Sequence, residues 1–488
     1  MAWSSRIPVR LFSRFCTYDE WRRAFLKAEG HYVKLTGHRE TVAWIALSFL
    51  SRFINLTRLR DTYILDALQS QSVETLEEQE PNTNLVYTAS YLHLRLNRIY
   101  DLPDVIVDPN APKRINVLVP AFDVETMSAG FFGVFQVARF IRASGYRTRL
   151  VLFDNFHFSL ATFRRRMLSY PELETLCDEV EIEYIGQRTS ALRVSPKDNS
   201  VATVWYSAYF ADKIMRTLEG DPFLYLIQDY EAQFYPGGSH FALADNSYSL
   251  HYNALISSKS LLDFLRLRKI GAFGDGALLY ETFDNACTAS LPDKAGWMAE
   301  HTHRPFRLAF YSRPMVRRNM FELGALALCT SLDQGVFRDR DWEFFGIGLG
   351  RSKIQLARDK VMHQLPRMTL AAYQSTVSTF DVGLTLMASS HPSLVPFDLA
   401  ASGVVTVTNT FGSKTADYFT SVSANIVPSP PELTALVRQL AIAETLAYDL
   451  EARYRNAEKM TYPCSWSQVF SNRHVSLLRA TFGAVDGE

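Results

Sequence analysis

Three guanidinium groups stand close together in FYSRPMVRRNMFELG, on Arg313, Arg317 and Arg318, with Asn319 at an expected helix start. Arginine forks match phosphate oxygens and a helix N-terminus favours an anion, so the segment suits a diphosphate. It would serve equally as a solvated basic loop with Asn319 as the helix cap. Further along, LMASSHPSLVPFDLAASG places His391 and Ser393 in a loop, Asp398 in the first turn of a short helix and Gly403 at the end of that helix. A carboxylate there can accept the two hydroxyls of a ribose while loop N–H groups hold phosphate. Alternatively, Asp398 only complements the helix dipole.

A third segment, IQDYEAQFYPGGS, gathers Asp229, Tyr230, Glu231, Phe234 and Tyr235 directly after an apolar run. Aromatic planes with a few carboxylates are one way to hold a sugar ring and activate its hydroxyls. A structural turn at Pro236-Gly237-Gly238 is the alternative. In MSAGFFGVF, Gly130 and Gly133 precede a helix and would admit an acceptor or a phosphate close to the backbone, although the dinucleotide GxGxxG pattern is not met. Asp339-Arg340-Asp341 spells a metal-holding DxD but lies in a charged run ahead of a strand, where a solvated turn is expected. His301 and His303 have no further ligand near them in sequence, and no GxSxG or P-loop occurs. No metal site is expected.

The elements that must position these residues alternate. RINVLVPAF is a short apolar run, FGVFQVARFIRASG an amphipathic helix ending at Gly145, and YRTRLVLFD a second strand. VATVWYSAYFADKIMRTL and FLYLIQDYE continue the pattern, and a second cycle opens at FRLAFYSRP and closes near FDLAASGVVTVTNT. Two doubly wound α/β domains in tandem are the economical reading, with a crossing near residues 285–305. In such sheets ligands bind beyond the carboxyl ends of the strands, which is where the three segments fall.

Composition narrows the function. Lys and Arg number 51 against 51 Asp and Glu, so no basic excess exists to neutralise a nucleic-acid backbone. Five scattered cysteines fit a reducing compartment better than a disulfide scaffold. The most apolar run, VAWIALSFL, is about half the ~20 residues needed to cross a bilayer. Residues 1 to 70 read as helical, and residues 69–84, polar and acidic around Pro81, as a linker. Near the start Arg6, Arg10, Arg14, Arg22 and Arg23 interleave with Trp3, Leu11, Phe12, Phe15 and Trp21. That pattern would lay a helix on an anionic membrane surface, or pack it as a solvated extension.

At these segments the chain resembles glycosyltransferase family 4, and more narrowly the rhamnosyltransferase WsaF group that builds bacterial surface glycans. IQDYEAQFYPGGS, FYSRPMVRRNMFELGALAL, LPRMTLAAYQSTVSTFDVGLTLMASSHPSLVPFDLAASG and CSWSQVF carry the likeness, over roughly residues 114–475. It implies a GT-B fold: two Rossmann-like domains facing a cleft, here with an N-terminal helical extension. The expected divisions are an extension and linker at 1–110, an acceptor domain at 111–295, a donor domain at 296–460 and a returning C-terminal helix at 461–488. Arg313 matches a donor-phosphate arginine of the family, and Arg367 falls where a diphosphate-binding lysine is usual. Asp398 matches the second glutamate of the Glu-x7-Glu signature, with Ser390 in the place of the first. Asp229 matches an acidic residue on the acceptor side.

The resemblance thus implies transfer of a deoxyhexose such as rhamnose from a nucleoside diphosphate to a glycan or lipid-linked glycan acceptor. No cofactor or metal is implied; the nucleotide sugar, with dTDP-rhamnose as the candidate, is a co-substrate. Asp229 and Glu231 are the expected catalytic carboxylates. Arg313, Arg317, Arg367, His391, Ser393 and Asp398 are expected at the donor, and Gly130, Gly133, Tyr230 and Tyr235 at the acceptor. A cytoplasmic enzyme, peripheral to the inner face of the membrane through its N-terminal extension, is expected. A GT-B epimerase or hydrolase, or a non-catalytic scaffold of a glycan assembly complex, are the alternatives.

Overall fold

The computed structural model describes residues 102–485 except 123–128, 155–157, 187, 275–277, 290, 349–353 and 367, and before them helix α1 (His38–Leu50) and the single positions 24, 96 and 99. Met1–Ala89 and Ser90–Glu488 are separate compact units. In the first, α1 contains the apolar run expected to be helical; the basic, aromatic stretch before it and the linker at 69–84 lie outside the described residues.

The second unit holds two seven-stranded sheets and a two-stranded parallel pair, β1 (Val105–Val107) with β5 (Leu192–Val194). The first large sheet comprises β2 (Ile115–Val119), β3 (Thr148–Leu152), β4 (Glu181–Tyr184), β6 (Asn199–Ala202), β7 (Phe223–Ile227), β8 (Tyr252–Ser257) and β9 (Tyr280–Phe283). All its strands are parallel, in the order β4-β3-β2-β6-β7-β8-β9. Every residue of β2, β3, β7 and β8 is buried. This is why these strands read as unbroken apolar runs instead of alternating ones: helices cover both faces of a parallel sheet. Helix α2 (Ala129–Ala143) seals one face with Phe132, Phe135, Val137 and Ile141, and Gly145 at φ +98° releases the chain into β3. Helix α3 (Trp205–Thr217) and helix α4 (Lys259–Leu267) cover the other.

From β9 the chain crosses through residues 284–293 to helix α5 (Lys294–Thr302) and the second sheet. That sheet comprises β10 (Phe306–Tyr311), β11 (Trp342–Ile347), β12 (Ile354–Gln355), β13 (Val361–Gln364), β14 (Val382–Thr385), β15 (Val405–Asn409) and β16 (Ile426–Ser429). Its order is β12-β13-β11-β10-β14-β15-β16, parallel except for the edge strand β12. The helices of this domain include α6 (Phe321–Asp333), α7 (Leu370–Val377), α8 (Val395–Ala401), α9 (Ala416–Val422), α10 (Leu433–Ala447) and α11 (Leu450–Glu458). Strand order reverses direction beside β2 in one sheet and beside β10 in the other, so both have their ligand-accepting crevice at the carboxyl ends of central strands. After α11 the chain crosses back, and helix α12 (Asn472–Phe482) packs on the first sheet through Leu477, Leu478 and Phe482. Asn199 Nδ2 donates to Thr481 O at 3.2 Å and Asn253 Nδ2 to Thr481 Oγ1 at 3.0 Å.

The second domain is pinned by a buried carboxylate. Asp381 is fully buried and accepts from Arg453 Nη1, Arg304 Nη1 and the backbone N–H of Arg307, each at 2.8 Å. Arg453 spends its other donors on the carbonyls of Gly403, Ala447 and Phe380 and lies 4.9 Å from the Trp297 ring centroid. His301, stacked on Trp297, stays neutral because burial and the nearby Arg453 depress its pKa to about 4. Four elements meet at this one side chain, so Asp381→Asn should strand a buried guanidinium and cost roughly 3–5 kcal/mol. Urea unfolding of the variant against the parent measures the loss, and an unchanged midpoint would disprove the role.

Candidate active site

The carboxyl ends of the two sheets meet at one loop. Just beyond β7, Asp229 Oδ1 accepts from its neighbour's N–H (Tyr230) at 2.9 Å and from Ser389 Oγ, of the second sheet, at 2.5 Å. Both bonds fall on Oδ1 and neither on Oδ2. Ser389 Oγ in turn accepts from His391 N at 3.0 Å. Two more contacts join this loop to the first domain: Ser260 Oγ, in the first turn of α4, donates to Ser390 O at 2.9 Å, and Ser257 Oγ, at the end of β8, meets His391 Nε2 at 3.3 Å. His391 Nδ1 accepts from Ser393 N at 3.1 Å, which leaves the ring proton on Nε2. Burial, with Lys414 and Arg318 nearby, holds the ring neutral, its pKa depressed to about 4. Ser393 takes φ +67° to make that turn.

Positive charge lines the second-sheet side. Arg313 leaves the end of β10; its Nη1 donates to Tyr311 Oη at 3.1 Å, while its buried Nε has no partner among the described residues. Arg317 is exposed, and Arg318 lies over the Phe234 ring at 4.2 Å, a further contact between the two domains. Lys414 is fully buried and donates to Met387 O at 2.8 Å. Burial pulls its pKa down to about 7, opposed by the charge of Asp229.

Several sequence expectations need correction. Asn319 does not cap α6: it lies in a preceding 3-10 turn, buried, with Nδ2 donating to Leu386 O, and the helix starts after Met320. Asp398 presents no face to a ribose. Its oxygens accept from Thr288 N (2.7 Å), Thr288 Oγ1 (3.1 Å), Ala289 N (3.3 Å) and Tyr373 Oη (3.2 Å), three of them donors on the crossing segment. Glu231 accepts from the N–H of Trp205 at 2.5 Å and so closes the N-terminus of α3. Tyr230 is core: its hydroxyl donates to Asp245 Oδ1 and its ring packs on Tyr248 and Phe264. Tyr235 accepts from Trp205 Nε1 at 3.0 Å and stacks on His240. Of the expected aromatic platform Phe234 alone is exposed, at 38%.

Gly130 and Gly133 lie in the first turns of α2, and Gly130 O accepts from Gln228 Nε2 at 3.0 Å. Arg367 lies outside the described residues. Asp341 precedes β11, at the amino end of the sheet and away from the crevice, where it pairs with Lys360 at 3.6 Å. Ser389 and Lys414 were not singled out from sequence. A serine two residues before a histidine is unremarked by type, and a lysine in a polar-looking loop gives no sign that it will be buried.

Known domains match both halves of the chain. Residues 114–258 match the WsaF N-terminal domain and residues 306–441 the WsaF C-terminal domain, together more than half of the chain. The chain belongs to the WsaF family. RfbC, an O-antigen biosynthesis protein of Myxococcus xanthus, is 27% identical to this WsaF-family chain over 305 residues. That match covers 60% of the chain and 21% of RfbC, so the chain spans about a fifth of the length of this curated relative. Anabaena Alr3699/HepE, solved in complex with UDP-glucose, superposes with a TM-score of 0.52 at 12% identity, covering 76% of this chain and 98% of HepE. Its complex with UDP and glucose gives 0.51 at the same identity and coverage. Likeness at that identity speaks for the fold, and the WsaF-family chain has the GT-B fold.

The buried Asp398 generates a pH test. Burial raises its pKa to about 6 despite the hydrogen bonds that oppose the shift. Between about pH 4 and 6 the folded chain therefore keeps a proton that the unfolded chain has released, so this group's stabilisation is lost as pH rises through the window. Asp398→Asn should gain roughly 3 kcal/mol relative to the parent between pH 4 and 7, whatever constant offset its lost hydrogen bonds impose. Urea unfolding of both proteins across that range checks it; parallel curves would contradict it.

Proposed function

We propose that this WsaF-family chain transfers a sugar from a nucleoside diphosphate to a glycan acceptor in the synthesis of a bacterial surface polysaccharide. The observation that carries the reading is the apposition at the loop: a carboxylate at the carboxyl end of one sheet, Asp229, is bonded to a loop at the carboxyl end of the other, and the charges of Lys414 and Arg318 act on that loop's His391. HepE was solved with UDP-glucose and RfbC is an O-antigen biosynthesis protein, which support the donor class and the setting. Resemblance to the rhamnosyltransferase group favours a deoxyhexose such as rhamnose, with dTDP-rhamnose as donor.

In this reading the acceptor oxygen bonds to the anomeric carbon as the bond from that carbon to the phosphate oxygen breaks, and the electron pair leaves with the nucleoside diphosphate. Arg313, with Arg317 and Arg367, meets the charge that develops on the diphosphate. Arg313 suits this because it has no carboxylate partner among the described residues and a buried Nε without an acceptor. His391, held neutral, and Ser393 line the donor side. Asp229 orients or deprotonates the attacking hydroxyl through Oδ2, while Ser389 fixes Oδ1. Guanidinium groups take the place of a divalent cation.

Among the described residues no helix is long and apolar enough to cross a membrane. A cytoplasmic location, with the basic and aromatic residues of the N-terminal stretch on an anionic membrane surface, completes the reading.

Two variants test it. Arg313→Ala should weaken binding of the nucleoside diphosphate by ~1.5 to 3 kcal/mol in calorimetric titration, with the fold intact. Asp229→Asn should lower transfer at saturating donor by ~100 to 10,000-fold while donor affinity changes little. Near-normal transfer would remove Asp229 from the reaction, and lost donor affinity would move it to the nucleotide side.

A further inference from the structure

Two buried amide oxygens with no partner among the described residues face the same glycine. Gln228 directly follows β7, one residue before Asp229, and Asn285 lies just beyond β9. The Gln228 amide is oriented by its Nε2, which donates to Gly130 O, so that Oε1 is left over. Asn285 is 6% exposed, and its Oδ1 is likewise left over. A Cβ placed on Gly133 would lie 3.0 Å from each oxygen, so both converge on one point over the first turns of α2.

Buried polar atoms in native proteins are paired, and two acceptors left empty side by side call for a ligand that brings donors. A helix N-terminus alone would invite an anion. Here two carbonyl dipoles face it, and a diphosphate ester offers no donor at neutral pH, so phosphate does not suit the position. A hydroxyl donates one hydrogen bond and accepts others, and a sugar carries several hydroxyls in a fixed ring.

We propose that Gln228 Oε1 and Asn285 Oδ1, over Gly133, form a subsite for a neutral, polyhydroxylated acceptor whose sugar hydroxyls donate to both oxygens. This rests on the glycosyl-transfer reading and specifies its acceptor. Gln228 immediately precedes Asp229 in the chain, so the subsite adjoins the segment that carries that carboxylate.

The test uses the full chain and the methyl glycosides of glucose, galactose, mannose and rhamnose as probes, with binding read by ligand-observed NMR and transfer from a labelled nucleotide sugar. Asn285→Leu should weaken glycoside binding by about tenfold or raise the acceptor KM by that factor, with kcat at saturating acceptor nearly unchanged. Gly133→Ala, whose methyl group meets both oxygens, should do the same, and Asn285→Asp, which keeps an acceptor oxygen, should retain binding. Nucleoside diphosphate affinity should be the same in all three. Unchanged glycoside affinity in folded Asn285→Leu and Gly133→Ala overturns the subsite, as does failure of every glycoside to bind the parent, or displacement of a bound glycoside by pyrophosphate. Transfer that persists with an unaltered acceptor KM would sink the subsite and leave the transfer reading standing. Glycosides that bind in an Asn285-dependent way without transfer from any donor would do the reverse.

Discussion

Asp398 is buried away from solvent, and that one fact ties the cleft together. A carboxylate removed from solvent must find donors within the protein. Two of the residues that supply them, Thr288 and Ala289, belong to the strand of chain that passes from the first domain to the second. Gln374 of α7 holds the carbonyl of Thr288 from the other side, and the returning crossing joins in through the bond from Cys287 N to Pro463 O at 2.8 Å. The same short helix that carries Asp398 follows the loop 389–393, whose serines and histidine reach the ends of β7 and β8 and the first turn of α4. Fixing the crossing and presenting the loop are therefore parts of one piece of structure.

On either side of that loop the electrostatics are unequal. Asp381, elsewhere in the second domain, is matched closely by two arginines. Among the described residues Arg313, by contrast, has only a tyrosine hydroxyl, and Lys414 only a carbonyl. An unmatched guanidinium at the carboxyl end of a central strand keeps its charge available to an incoming anion. The buried lysine nearby adds to the field felt by Asp229 across the cleft.

Much of this was legible from residue order. Continuous apolar runs separated by amphipathic stretches announced parallel sheets covered on both faces, and the strand ends picked out Asp229 and Arg313 because their side chains had no helix or sheet role to absorb them. What could not be read was where a polar side chain finds its partner. Three of the donors for Asp398 lie 109 or 110 residues earlier in the chain, and the backbone N–H that Glu231 accepts from lies 26 residues earlier. Both looked like free carboxylates in sequence because such pairings leave no local mark. Tyr230 and Tyr235 misled for the same reason: an aromatic ring after a strand is equally suited to a sugar or to the core, and Asp245 and Trp205 decide the matter. Lys414 runs against the ordinary expectation that lysines stay in water.

Helix α12 carries a consequence for how the protein is made. It completes the first sheet's apolar face and takes the side-chain amides of Asn199 and Asn253, yet in the chain it follows the whole of the second domain. Domains generally fold as units in the order of synthesis. On the ribosome the first domain must therefore wait, with that face uncovered, while the second is translated and folds. The earlier-made half is the later-finished one, and during that interval its apolar face stays uncovered.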